Sequence, residues 1–198
     1  HSVIGILAAV IERQRSGLGQ YIDISMTDCV VGLSSMAAAA SLAGQEKQGP
    51  EQSYLNGATF YDYYETQDGR YLSIGSLEPQ FLHGLAQILE LPIVAEKGAS
   101  LATEDRQVVK QAIKDKIKTQ DFATWNAIFQ QQDVCVEPVL KLDEALDSQL
   151  AKDRAWVVSV PLQEGSTKSE QQLACPIKFS RSKIRYEFIG KPLGFDSL

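Results

Sequence analysis

Apolar residues fill nearly every position from 3 to 11 and stop abruptly at Glu12-Arg13-Gln14-Arg15. A segment of good helix formers that is apolar almost all round predicts a helix over residues 3–12, buried on several sides. Gly17 and Gly19 predict its end and a tight connection. Residues 21–26 (Tyr-Ile-Asp-Ile-Ser-Met) alternate in polarity as a strand does. Thr27 or Asp28 then offers a cap for a second helix running to about Ala43. From Met36 onward its side chains are small enough for close packing. Residues 44–57 are polar, with Gly49-Pro50 at their centre, and predict a linker at a domain boundary.

The clearest local pattern follows. Two β-rich runs, residues 60–65 and 71–75, flank Gln67-Asp68-Gly69-Arg70, and an Asp-Gly pair between such runs predicts a hairpin. Glu78-Pro79 reads as a helix start with proline at the first helical position, the helix burying Phe81, Leu85 and Ile88 or Leu89. Further helices are expected over 104–118 and 121–131. Asp121 would cap the second, and Phe122, Trp125, Ile128 and Phe129 would form its apolar stripe. Residues 135–140 predict a short strand that Pro138 confines to a sheet edge. A helical stretch over 142–151 and strands over 156–161 and 173–179 complete the pattern, with a polar connection over 163–172 and a basic, then extended, tail after Ser180. The fold class is α+β.

Composition narrows the function. The chain has 198 residues, 44% hydrophobic and 22% charged, as in an ordinary globular protein. No apolar run approaches the ~20 residues of a membrane span, and no basic segment precedes the first apolar run as in a signal peptide. The absence of an initial Met at His1-Ser2-Val3 is expected of a cut rather than of a natural start. A net charge of −6 argues against a nucleic-acid surface, while leaving room for one anionic ligand held by local cations. Cys29, Cys135 and Cys175 are far apart, so no zinc knuckle or redox pair is indicated. They are expected to be buried thiols of a cytoplasmic protein. With His1 and His83 they form no conventional metal site, and no metal is expected.

Three segments in this order and spacing resemble the family III CoA-transferases, the CaiB/BaiF superfamily that includes the alpha-methylacyl-CoA racemases. The first is Ile4-Gly5-Ile6-Leu7-Ala8-Ala9 with Glu12-Arg13, Ser16-Gly17, Gly19-Gln20, Asp23, Ser25-Met26 and Asp28. The second runs from Tyr61-Asp62 and Tyr64-Glu65-Thr66 through Asp68-Gly69-Arg70-Tyr71 and Ile74-Gly75 to Glu78-Pro79-Gln80-Phe81. The third is Cys135-Val136, Pro138-Val139-Leu140 and, later, Pro176 with Phe179-Ser180.

The resemblance implies a large Rossmann-like CoA-binding domain, a smaller α+β domain and an interlocked homodimer. On that basis residues 1–44 are expected to be a helix-strand-helix remnant of the large domain, 45–57 the linker, 58–180 the small domain and 181–198 a tail. The family's active-site histidine and aspartate, and most CoA contacts, would precede His1. The resemblance also implies that Glu78 is an active-site acid/base and that Tyr61 lines the acyl pocket. The implied substrate is an acyl-CoA thioester, with no separate cofactor. Without that resemblance Glu78 is a carboxylate at a helix start, favoured there by the helix dipole. Tyr61 is an aromatic of a hairpin, more often packing than function. Asp23, Asp28, Asp62 and Asp68 read as structural, and His83 as solvated. The chain alone is expected to be inactive, with an exposed apolar first segment; the parent would be an acyl-CoA racemase or, alternatively, an acyl-CoA:carboxylate CoA-transferase. A non-catalytic packing or association module is the third reading.

Overall fold

The computed structural model describes residues 1–44, 49 and 53–190. Residues 45–48 and 50–52 of the expected linker and 191–198 of the expected tail lie outside them. The chain divides into two units, His1–Ala58 and Thr59–Leu198.

In the first unit, helix α1 (Ser2–Ser16) ends where Gly17 takes φ 77° and its N–H closes on the Arg13 carbonyl. A left-handed residue just past the last turn satisfies a carbonyl that the helix leaves open, and glycine does so without strain. The expected strand over 21–26 does not form. Residues 21–25 pair with no strand among those described and Met26 already begins the next helix, and alternation without a partner makes no sheet. Ser25, rather than Thr27 or Asp28, caps α2 (Met26–Leu33), its hydroxyl accepting from Asp28 N. The single helix expected to Ala43 is two, broken at Ser34, whose hydroxyl bonds back to Val30 O at 3.2 Å before α3 (Ser35–Leu42) begins. Back-bonding of that kind competes with the helical ladder. None of these three helices buries a side chain, contrary to the burial expected of the first and as expected of an exposed apolar segment.

The second unit forms around the hairpin. Strands β1 (Asp62–Glu65) and β2 (Tyr71–Ile74) pair antiparallel, and β3 (Val136–Pro138) pairs with β2 at the sheet edge. The turn works because Gly69 takes φ 77°, and Asp68 does more than turn the chain. Its carboxylate accepts from the Thr66 hydroxyl at 2.5 Å and from Phe122 N at 3.0 Å, tying the turn to a helix start 54 residues away.

Between and after these strands lie α4 (Pro79–Leu89), α5 (Pro92–Lys97), α6 (Thr103–Ile117), α7 (Phe122–Phe129), α8 (Leu142–Asp147) and α9 (Gln149–Asp153). The expected cap at Asp121 forms, its side chain accepting from Thr124 N. Leu82, Leu85, Ala86 and Leu89 are the buried face of α4, so Phe81 lies at the margin rather than in the core. Leu72, Ile74, Val109, Ile113, Ile117 and Trp125 are nearly or fully excluded from solvent, and with the α4 face they form one core. The helical stretch expected over 142–151 divides into α8 and α9 at Ser148, which caps the second. A separate hairpin joins β4 (Val157–Pro161) to β5 (Ser169–Leu173). The last strand therefore lies mostly in the expected polar connection, not over 173–179. No helix among the described residues is long and apolar enough to cross a membrane.

Candidate functional site

The register of the three-stranded sheet aligns three residues just beyond its strands. Asp62 faces Ile74, and Ile74 faces Val136, so the next row at that end holds Tyr61, Gly75 and Cys135. The row is joined physically. Gly75 N donates to Cys135 O at 2.9 Å. A Cβ placed on Gly75 would stand 3.0 Å from Tyr61 Cε2, so the tyrosine ring lies flush against the glycine backbone. Tyr61 is half-buried, and its N–H donates to the Thr59 hydroxyl.

From this row the chain turns toward Glu78. Ser76 is fully buried and its hydroxyl donates to Val134 O, fastening the segment to the strand-forming stretch across from it. Leu77 N then donates to Gly75 O at 2.8 Å, a reversal within three residues. Glu78 follows as the N-cap of α4, with extended backbone and Pro79 at the first helical position. Its side chain makes no capping hydrogen bond and is exposed. A carboxylate here is favoured by the unsatisfied N–H groups and positive end of the helix, and is not consumed by them.

Glu78 also lies within electrostatic reach of Cys135. Partial desolvation first, then the negative charges of Glu78, Asp133 and Glu137, push the thiol up from its ordinary value. A raised thiol is disfavoured as the thiolate, the form in which a cysteine attacks or ligates. Cys135 is exposed and Cys29 and Cys175 are half-buried, which corrects the expectation of buried thiols. At Cys135 the reason is local: a left-handed backbone, φ 52°, just before β3.

Asp62 and Asp68, expected to be structural, both make structural contacts. Asp62 pairs with Lys110 at 2.5 Å, and Asp68 holds the turn. Asp28 is in the first turn of α2, with its N–H on the Ser25 cap. His83 is exposed, with Nδ1 2.6 Å from Pro79 O. Among the described residues no group of three His, Cys, Asp or Glu side chains could hold a metal ion.

The structure thus places Tyr61 and Glu78 around one short row, and it adds Gly75, Ser76 and Cys135. Gly75 and Cys135 carried a sequence signal, a glycine and a cysteine bounding two paired strands at one end. Ser76 carried none, because its partner is a backbone carbonyl 58 residues away.

The mouse alpha-methylacyl-CoA racemase is 38% identical over 157 residues, 79% of this chain and 41% of the relative. The human alpha-methylacyl-CoA racemase is 31% identical over 166 residues, 83% and 43% of the two chains. A CaiB/BaiF family protein from Brucella suis superposes with a TM-score of 0.68 at 22% identity, over 94% of this chain and 48% of that one. That likeness shows the fold, a mixed α+β arrangement matching part of a larger protein. The chain spans less than half the length of the curated relatives it matches. The family model described as CoA-transferase family III matches residues 1–197, and the chain belongs to that family.

Proposed function

We propose that the chain is the C-terminal part of an acyl-CoA racemase, with Glu78 one of its acid/base groups and Tyr61 a wall of its acyl pocket. On this reading residues 58–180 are the small domain and residues up to 44 belong to a larger CoA-binding domain. An interlocked second subunit completes the site. The observation that carries the reading is the carboxylate of Glu78. It is exposed at a helix start, takes no part in capping, and stands at the sheet end that also holds Tyr61.

The chemistry explains the use of such a group. A base removes the proton alpha to the thioester carbonyl, and the bonding pair moves into an enolate. A conjugate acid on the opposite face returns a proton to the same carbon, giving the other epimer. Groups are therefore needed on both faces, and hydrogen-bond donors at the enolate oxygen. Glu78 supplies one such group, and the partners resembling the family's histidine and aspartate would come from outside this chain. One carboxylate does not provide a concerted arrangement, so the chain by itself is inactive on this reading. The names of the mouse and human relatives favour a 2-methylacyl-CoA substrate.

A CoA-transferase is the second reading, favoured by the description of the matching family. Such an enzyme uses an aspartate nucleophile to form anhydride and thioester intermediates. It has no need of a glutamate at Ser76-Leu77-Glu78-Pro79-Gln80-Phe81. The third, an association module, is favoured by the exposed side chains of Val3, Ile4, Ile6 and Leu7.

The test is alpha-proton exchange of a 2-methylacyl-CoA in deuterated water, catalysed by the full-length gene product with and without Glu78→Gln. Exchange that collapses in the variant, by about a hundredfold or more, supports the racemase. Transfer of CoA between carboxylic acids with no exchange in the wild type installs the transferase, and neither activity leaves the association module.

A further inference from the structure

We propose that Gly75 is a positioning residue: the missing side chain sets where the Tyr61 ring stands, and through the ring which alpha-branched acyl groups fit beside Glu78. This rests on the reading of Tyr61 as a wall of the acyl pocket.

Gly75 is not a glycine for backbone reasons. Its φ is outside the left-handed region, unlike the turn glycine at 69, so an L-residue could adopt its conformation. The constraint is space. An added Cβ would meet Tyr61 Cε2 at 3.0 Å and Tyr61 Cζ at 3.6 Å, with Cys135 O next at 3.7 Å. The first two are ring atoms, and the closer distance requires one neighbour to give way.

The backbone of Gly75 has little freedom to be that neighbour. Its N–H is bonded to Cys135 O, and its carbonyl accepts from Leu77 N. The next residue is fastened through the Ser76 hydroxyl to Val134 O. Nor is the Tyr61 main chain free, since its N–H is held by the Thr59 hydroxyl. The soft coordinates that remain are the χ angles of Tyr61. A methyl at position 75 therefore displaces the ring by a few tenths of an ångström and leaves the strands in place.

A ring that forms one wall of a small apolar pocket transmits such a shift to its contents. The branch carbon of a 2-methylacyl group is next to the reacting carbon, so its fit governs binding more than the acid/base step. The effect of Gly75→Ala is thus expected in KM.

The experiment measures alpha-proton exchange of a 2-methylacyl-CoA by the full-length protein, with Gly75→Ala placed in wild-type, Tyr61→Phe and Tyr61→Leu backgrounds. Phenylalanine keeps both contacting ring atoms, and leucine removes them. The expected result is a KM raised roughly threefold to tenfold by Gly75→Ala, with kcat within about twofold. The same rise is expected in Tyr61→Phe and none beyond about twofold in Tyr61→Leu, the non-additivity of two residues in contact. An equal penalty in all three backgrounds overturns the proposal, as does no penalty in any. Should Gly75→Ala alone not fold, the proposal requires the double variant with Tyr61→Leu to fold, and a double variant that also fails overturns it. Wild-type protein that exchanges no alpha proton refutes the racemase reading beneath the proposal, whereas exchange with an additive cycle refutes the proposal alone.

Discussion

Replacing Trp125 with phenylalanine tests how the sheet end is supported. Trp125 lies on α7, which packs against β3, and it is 1% exposed. Its ring stacks on Phe129 with centroids 5.6 Å apart, and its Nε1 donates to Ile117 O at 2.8 Å at the end of α6. Phenylalanine keeps an aromatic next to Phe129 but loses the donor and part of the ring. The Ile117 carbonyl retains only a 3.5 Å approach from Gln120 N. A buried acceptor left poorly satisfied costs about 1–3 kcal/mol, here toward the lower end because of that approach. Roughly 40 Å³ of lost volume at about 24 cal/mol per Å³ adds about 1 kcal/mol. The sum is a destabilisation of about 2–3 kcal/mol. Urea unfolding followed by far-UV circular dichroism reads it as a midpoint lowered by about 1–1.5 M, for a slope of about 2 kcal/mol per M. Trp156→Phe, at a half-buried position beside β4, is the control and is expected to shift the midpoint far less. Equal shifts from the two tryptophans, or no shift from Trp125→Phe, would refute the claim that this indole joins α6 to α7.

Two further outcomes follow from the same packing. Gly98→Ala is expected to destabilise the protein by about 1–3 kcal/mol in the same urea assay, because a Cβ there would stand 2.5 Å from both Leu82 Cδ1 and the Val94 carbonyl oxygen; a neutral variant would show that this helix end relaxes freely. Stability is also expected to fall in acid. Among the described residues three carboxyls are held below their usual range: Asp68 chiefly by the Thr66 hydroxyl, Asp105 by Lys97, and Glu144 by the Lys141 N–H. A lowered folded-state pKa contributes stability that is present above about pH 4 and is lost as pH falls through the folded value. Asp68→Asn should flatten that loss in urea midpoints measured from pH 7 to pH 3, and an unchanged slope would contradict the assignment.

The parts of this structure that were legible in the sequence are those whose signal is local. Asp68-Gly69 between two β-rich runs gives the hairpin because a left-handed glycine meets the turn's demand on the spot. Asp121 gives the start of α7 because its carboxylate reaches an N–H three residues ahead. Pro138 marks an edge strand because it cannot donate to a further neighbour. The misreadings share the opposite character. Residues 21–26 alternate as a strand does, yet a strand exists only through its partner, and the pattern does not say whether one is present. Ser169–Leu173 is exposed at every position, so no apolar face announced β5. Its pairing with β4 is a property of the backbone. The helix α5 has only six residues, too few for a period to be read.

The candidate site divides along the same line. Glu78 was visible because a glutamate before a helix-starting proline is a local feature to which the family resemblance could be attached. What makes it a site, rather than one more exposed carboxylate, is non-local. The β1–β2 hairpin brings position 61 opposite 75, and the β2–β3 register brings 135 opposite 75 across a separation that no short motif spans. On the proposed reading, Tyr61 would act on a substrate only from where Gly75 lets its ring rest, and Glu78 only from where the Ser76–Val134 bond leaves the turn. Substitutions at Gly75 and Ser76 are therefore more informative than further changes at Glu78. They ask whether the chemistry depends on the placement that the sheet end imposes, and not only on the presence of a carboxylate.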